Sequence, residues 1–182
     1  GCAYPNRHIC GAGTAFKLVE ALGGRVAALH YVALAGLATV ADVVPLMGEN
    51  RVFAALALAA VNRGECPLGL SALVEAAFER KRALTARDFA FAIAPRLNAA
   101  GRMADASLGV ALLTETDAGR ARALALRLNE LNAARQREES AIFEAASAAI
   151  EMDDLTEKRG IVLKSADWNP GVVGIAASKL AE

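Results

Sequence analysis

The sequence predicts an α/β protein in which helices dominate, arranged as a helical body, one long connecting helix and the start of a second lobe. Three features carry this prediction. Apolar residues make up 55% of the 182 positions and aromatics only 5%, the excess being alanine with leucine and valine, which favours closely packed helices over a sandwich. Apolar positions recur at threes and fours from Thr14 to Met152, the period of helices with one buried face. After Met152 the pattern changes, and a short apolar run at 161–163 leads toward Gly171-Val172-Val173-Gly174. Strand, glycine loop and helix in that order open an α/β unit.

Taken in order, residues 1–11 hold Pro5, Asn6 and two glycines and read as a loop. A helix follows over 14–22, with Ala15, Leu18, Val19 and Leu22 on one side and a stop at Gly23-Gly24. Residues 28–40 are apolar nearly all round, so they form a buried helix or a helix running into a buried strand, and Pro45 marks a break after them. A helix from Asn50 to about Val61 stops at Arg63-Gly64, and another begins after Pro67 with Leu70, Leu73, Val74 and Ala77 on one face. Thr85, three residues before Asp88, reads as an N-cap for a helix that Pro95 ends. A turn through Gly101 leads to a short helix from Ser107 to about Thr114. Residues 117–152 form the longest periodic segment, a helix of about 54 Å at 1.5 Å per residue, which suits a connector between lobes. Asp153-Asp154 and Lys158-Arg159-Gly160 then make a turn before the expected strand. The divisions are therefore 1–116, 117–152 and 153–182.

With 20 Lys+Arg against 20 Asp+Glu, the net charge gives no electrostatic case for a nucleic-acid or membrane partner. A chain of this mass buries roughly 70% of its unfolded surface and needs no disulfide or structural metal. Cys2, Cys10 and Cys66 have no paired spacing and read as reduced thiols, and Cys2, His8 and Cys10 with the distant His30 do not make a zinc site. No apolar run reaches the roughly 20 residues of a membrane span. A soluble, cytoplasmic protein is expected. Residue 1 is Gly, and the chain stops at Ser178-Lys179-Leu180-Ala181-Glu182 in the first turns of a helix, so both ends are expected to be cuts through a longer protein.

Four clusters could carry chemistry. Gly11-Ala12-Gly13-Thr14-Ala15-Phe16 looks like the start of a dinucleotide loop, but Phe16 stands where a third glycine belongs, and close packing at a helix start explains the glycines better. In Thr39-Val40-Ala41-Asp42-Val43-Val44-Pro45 a single carboxylate sits in an apolar stretch, and a buried charge demands a cation. A divalent metal satisfies Asp42; an N-cap role or a salt bridge to Arg51 would do so equally. Pro95-Arg96-Leu97-Asn98-Ala99-Ala100-Gly101-Arg102 places two guanidinium groups and an amide close together, suited to phosphate oxygens. Ion pairs of Arg96 and Arg102 with Asp105, Asp88 or Glu115 are the plainer use. Trp168-Asn169-Pro170-Gly171-Val172-Val173-Gly174 followed by Ser178 and Lys179 fits an anion at a helix N-terminus, or simply a tight packing turn.

In this order the clusters resemble the RecJ-type single-strand-specific exonucleases of the DHH phosphoesterase superfamily. The resemblance rests on Gly-x-Gly-x-Ala-Phe at 11–16, Ala-Thr-Val-Ala-Asp-Val-Val-Pro-Leu at 38–46 with Glu49-Asn50-Arg51, Pro-Arg-Leu-Asn-Ala-Ala-Gly-Arg at 95–102, Leu-Asn-x-x-Arg-Gln at 131–136, and Trp-x-Pro-Gly-Val-Val-Gly-Ile-x-Ala-Ser at 168–178. It runs from Tyr4 to the last residue.

The resemblance implies that 1–116 is the C-terminal part of a DHH phosphoesterase domain, 117–152 the connecting helix, and 153–182 the truncated start of a DHH-associated substrate-binding domain. It implies two divalent ions, Mn2+ or Mg2+, and hydrolysis of single-stranded DNA from its 5′ end in repair and recombination. Single-strand-binding protein is a candidate accessory partner. Asp42 matches the last metal-ligating aspartate. Arg96, Asn98 and Arg102 are then holders of the 5′ end or the attacked phosphate, and Gly171, Gly174 and Ser178 further phosphate contacts. The naming Asp-His-His triplet would lie before Gly1, so the segment alone is expected to be inactive. Asn169 stands where the family commonly has histidine, and Lys179 where it has arginine. A phosphodiesterase of short oligonucleotides or cyclic dinucleotides, and a non-catalytic helical scaffold, are the competing expectations.

Overall fold

The structure, a computed structural model, describes residues 3–80, 82–152 and 159–181. Among these residues every regular element is helical: α1 (Gly11–Leu29), α2 (Val32–Ala41), α3 (Gly48–Arg63), α4 (Leu68–Ala77), α5 (Ala86–Asp88), a π turn (Phe89–Ile93), α6 (Ala94–Met103), α7 (Ser107–Thr114), α8 (Ala118–Met152) and α9 (Pro170–Leu180).

Most helix ends fall where local chemistry puts them. Cys10 caps α1, its Sγ accepting from the Gly13 N–H at 3.4 Å. A Cβ on Gly13 would lie 2.7 Å from Ile9 Cγ1, so Gly13 serves close packing as expected, whereas a Cβ on Gly11 would meet nothing within 4 Å and close packing does not explain that glycine. At Gly24 φ is 77°, a conformation that costs glycine little, and the expected stop becomes a kink inside α1. Residues 28–40 resolve as helix rather than strand, with a break before Val32. Gly64 closes α3 in the left-handed conformation. The Thr85 N–H donates to the Asp88 carboxylate at 2.8 Å, half of the capping box that opens α5.

Pro95 departs from expectation: it does not end a helix. α5, the π turn and α6 follow one another without a break, and the Ala94 N–H reaches the Phe89 carbonyl, five residues back instead of four. Proline lacks an N–H and its ring crowds the preceding turn; the wider π turn accommodates both defects. The stretch 95–102 is consequently helix, not a glycine turn.

One cluster of buried side chains forms the main core, with Leu37, Leu70, Leu73, Phe89, Ile93, Leu112 and Leu128 at its centre. Each fully buried side chain of this kind contributes about 1.5–3 kcal/mol relative to exposure. A smaller cluster of Phe16, Val32, Ala35 and Phe53 fastens α1 to α2 and α3. The 35 residues of α8 serve two neighbours in turn. Its first half enters the main core through Ala121, Ala125, Leu128 and Leu131; further along, Ile142 meets Val172 and Ala176 of α9.

The α/β expectation meets a helix-rich chain with no strand among the described residues. Residues 161–163 have no regular structure, and Val162 is 96% exposed. A strand is held by hydrogen bonds to a neighbouring strand, and the described residues offer none. The turn expected at Asp153-Asp154 and Lys158 lies outside the described residues. Among those described, Cys10 and Cys66 are free thiols, and no single helix is long and apolar enough to cross a membrane.

Candidate functional site

Two sequence clusters that lie far apart in the chain meet where the C-terminus of α6 touches the N-terminus of α9. Arg102 Nη1 donates to the Gly171 carbonyl at 2.9 Å. The contact is tight enough to require glycine, since a Cβ on Gly171 would stand 2.5 Å from the Arg102 carbonyl oxygen and 3.1 Å from its Cα. Asn169 caps α9 by accepting from the Gly171 N–H at 2.8 Å, while its Nδ2 faces Met103 Sδ at 3.8 Å. Met103 and Trp168 pack around Val172 and Ile142 beneath the junction. Here Asn169 supplies a cap and a bridge between helices.

The exposed side of the junction carries several of the candidate residues. Asn98 precedes Arg102 by four residues, so the two share one face of α6, and both are exposed. On α9, Gly171, Gly174 and Ser178 are spaced by three and four and likewise share a face, Gly174 and Ser178 being exposed. Lys179 is committed elsewhere: its Nζ lies 4.9 Å from the Phe143 ring centroid and 4.0 Å from Glu139 Oε1. Glu139 also accepts from Arg135, whose Nη2 donates to the buried Asn132 at 2.9 Å. These polar groups tie α9 to α8 alongside the apolar contacts.

Arg96 faces the other way. Its Nε donates to Asn129 Oδ1 at 2.9 Å and its Nη1 to the Ala92 carbonyl at 2.7 Å, so it joins α6 to α8 beside the π turn. Burial lowers its pKa from the ordinary arginine value. The acids proposed as plain partners are engaged with other groups. Asp88 pairs with Arg82, whose hydrogen bonds hold its carboxyl well below the usual carboxylate range against the effect of burial. Glu115 pairs with Arg120 at 3.2 Å, and Asp105 accepts from the Ser107 N–H at 2.8 Å.

Asp42 differs from expectation in its surroundings. It is exposed, not embedded, and it is the C-cap of α2, not an N-cap. Among the described residues it forms no ion pair, with Arg51 or any other cation. Two features replace the burial argument. A carboxylate at a helix C-terminus adds to the negative end of the dipole, an arrangement that a cation relieves. The next residue, Val43, has φ 53° and is 88% exposed; a β-branched residue held there stores about 1–3 kcal/mol of strain, a pattern that clusters at functional sites. Among the described residues no three His, Cys, Asp or Glu side chains come together in a metal-holding group. Asp42 therefore fits a hard divalent cation as one oxygen ligand, and the described residues do not complete a coordination sphere. No hydrogen bond among the described residues joins Asp42 to the α6–α9 junction.

Sequence reasoning passed over Asn50 and Asn129 as individual residues, and weighed Asn169 only as a departure from the family pattern, not as the cap of α9. Asn50 could have been found: positions 50, 53, 54, 57 and 61 form the buried stripe of α3, and an amide on an apolar stripe must be satisfied by something specific.

No family model matches the chain. Individual relatives do. The single-stranded-DNA-specific exonuclease RecJ of Bacillus subtilis is 40% identical over 182 residues, covering 100% of this chain and 23% of that protein. RecJ of Escherichia coli is 38% identical over 198 residues, covering 100% of this chain and 34% of the relative. The crystal structure of RecJ in complex with Mn2+ from Thermus thermophilus superposes with a TM-score of 0.83 at 38% identity, over 94% of this chain and 26% of that one. The chain thus spans about a quarter to a third of the length of the curated relatives it matches.

Proposed function

Since the chain is homologous over its full length to one segment of the RecJ single-stranded-DNA-specific exonucleases, we propose that it is the part of such a nuclease that supplies one metal ligand and a phosphate-binding surface. The protein containing it hydrolyses phosphodiester bonds of single-stranded DNA from the 5′ end, in repair and recombination. The observation that carries this reading is the meeting of the 95–102 and 168–178 clusters at one exposed junction, with Arg102 held by Gly171.

On this reading Asp42 holds a divalent cation, Mn2+ or Mg2+, the ions with which the related Thermus thermophilus structures were solved. Bound cations of this type activate water and neutralise charge on the leaving oxygen. Every other contribution belongs to the chain. The Gly171 carbonyl takes one guanidinium N–H of Arg102 and fixes its plane, leaving further donors for phosphate oxygens. Asn98 adds an amide one turn away. Gly174 and Ser178 line the continuing face of α9 along which the backbone of the strand passes. Arg96, through Asn129, holds α6 on α8 so that this surface keeps its orientation. Preorganised donors of this kind stabilise developing charge without rearrangement. Since no three His, Cys, Asp or Glu side chains among the described residues come together to hold a metal, the isolated 182-residue chain is inactive on this reading.

The test is the full-length nuclease containing this segment, given Mn2+ and a single strand labelled at either end. Labelled mononucleotide should leave the 5′ end first, with duplex DNA resistant. Cleavage confined to dinucleotides would overturn the reading, and so would turnover by the isolated segment after repurification.

A further inference from the structure

The turn after Asp42 is strained, and a buried side chain anchors its far end. Asn50 is 1% exposed, and its amide is used on both sides. Nδ2 donates to the Pro45 carbonyl at 3.0 Å and to the His8 carbonyl at 2.9 Å. Oδ1 accepts from Asn6 Nδ2 at 2.9 Å, and Asn6 Oδ1 in turn accepts from the His8 N–H at 3.1 Å. One amide thereby fastens three stretches: the start of α3, the loop leaving Asp42 and the segment before α1.

The loop has little else to fix it. Behind Asp42 it is anchored by the end of α2, where the Asp42 N–H donates to the Ala38 carbonyl at 2.9 Å and the Val43 N–H to the Val40 carbonyl at 3.2 Å. Ahead of it, the Pro45 carbonyl takes the Asn50 amide and the Met47 N–H at 2.9 Å. Between these anchors Val43 occupies left-handed backbone with its side chain in solvent. An exposed valine has no packing to hold it there, so the conformation persists only because both anchors hold. Releasing the forward anchor lets Val43 relax to negative φ and turns the peptide on which the Asp42 carboxylate is mounted. Glu49, beside Asn50, strengthens the forward anchor by accepting from Tyr4 Oη at 2.8 Å and from Lys17 Nζ at 2.9 Å.

We infer that Asn50, with Asn6 behind it, is the positioning residue of the Asp42 carboxylate, clamping the Val43–Pro45 turn so that the carboxylate meets a divalent cation at a fixed angle. The inference rests on the reading of Asp42 as a metal ligand. Outer groups that orient a ligand typically change metal affinity by about 10–100-fold.

The experiment uses the full-length nuclease and Mn2+ alone, titrated with free Mn2+ followed by electron paramagnetic resonance, for wild type, Asn50→Ala, Asn6→Ala and Asp42→Asn. Hydrogen exchange on the metal-free proteins is read alongside. Asn50→Ala should weaken Mn2+ binding about 10–100-fold, with the KM for single-stranded DNA unchanged and with faster exchange at the Met47 and Val43 amides but not in the middle of α2. Asn6→Ala, at a half-exposed position that can be truncated without unfolding the protein, should shift both readouts in the same direction by less. A purely structural role would lower thermal stability and leave the Mn2+ affinity of the folded protein untouched. If both asparagine variants bind Mn2+ within about twofold of wild type while Asp42→Asn does not, the clamp is refuted. If Asp42→Asn itself binds normally, the reading of Asp42 fails and the clamp with it. Should Asn50→Ala not fold, Asn6→Ala decides.

Discussion

Replacing Gly171 with alanine tests the α6–α9 junction directly. The new Cβ would stand 2.5 Å from the Arg102 carbonyl oxygen. Ordinary contact begins at about 3.4 Å, so α9 must retreat by about 0.9 Å. The obstructing atoms are backbone and cannot swing aside. The same retreat stretches the Arg102 to Gly171 hydrogen bond from 2.9 Å to about 3.8 Å, beyond useful length. Overpacking of this kind costs about 1–3 kcal/mol. Gly174 supplies the control, because nothing lies within 4 Å of its added Cβ and alanine in a helix interior is favoured over glycine by about 1 kcal/mol. The two variants should therefore lie on opposite sides of wild type, about 2–4 kcal/mol apart. In urea, with a slope of about 2 kcal/mol per M, the unfolding midpoints of Gly171→Ala and Gly174→Ala should lie about 1–2 M apart. Coincident midpoints would show that α6 and α9 do not approach as described, and the phosphate-binding surface proposed on that approach would lose its basis.

Asp42→Ala should abolish turnover of the full-length nuclease while circular dichroism and melting temperature stay near wild type, because the side chain is exposed and has no ion-pair partner among the described residues; a clear loss of stability would assign Asp42 a structural role. Arg102→Ala removes charge-assisted hydrogen bonds that contribute about 1.5–3 kcal/mol each, so KM for single-stranded DNA should rise at least about tenfold, and unchanged kinetics would remove Arg102 from the site. The Asp88 pKa is depressed in the folded chain, so its pairing with Arg82 stabilises above the unfolded aspartate value near 3.8 and is lost as pH falls through the lower folded value. Melting temperatures of wild type and Asp88→Asn should accordingly converge as pH drops below about 4, and a gap that persists unchanged at low pH would refute the linkage.

Local chemistry was readable from the sequence wherever neighbours in the chain decide the outcome. Gly64, the Thr85 and Asp88 pair and the extent of α8 all fall as spacing indicated, because caps and periodicity act within a turn or two. Pro95 was misread because its effect depends on whether the preceding turn can widen, which Phe89 and Ile93 settle from within the core. The burial expected of Asp42 failed for the opposite reason: apolar neighbours in sequence say nothing about whether a side chain at the end of α2 is covered. The clusters at 95–102 and 168–178 each looked ambiguous alone, and only packing shows that one supplies the backbone carbonyl that orients the other's arginine. Asn50 presented a legible signal, a polar residue on an apolar stripe, but its partners at Asn6, His8 and Pro45 could not be named without the fold.

α8 gains a mechanical meaning from its two sets of neighbours. A rod of about 52 Å fixed only in the main core would act as a lever, and a tilt of a few degrees at its root would move its far end by several ångströms. α9 prevents that by touching α8 through Val172 and Ala176 and α6 through Gly171, while Arg96 and Asn129 tie α6 back to α8. The three helices close a triangle, and a triangle of stiff members cannot shear without changing the length of a side. Gly171 is the smallest joint of that truss.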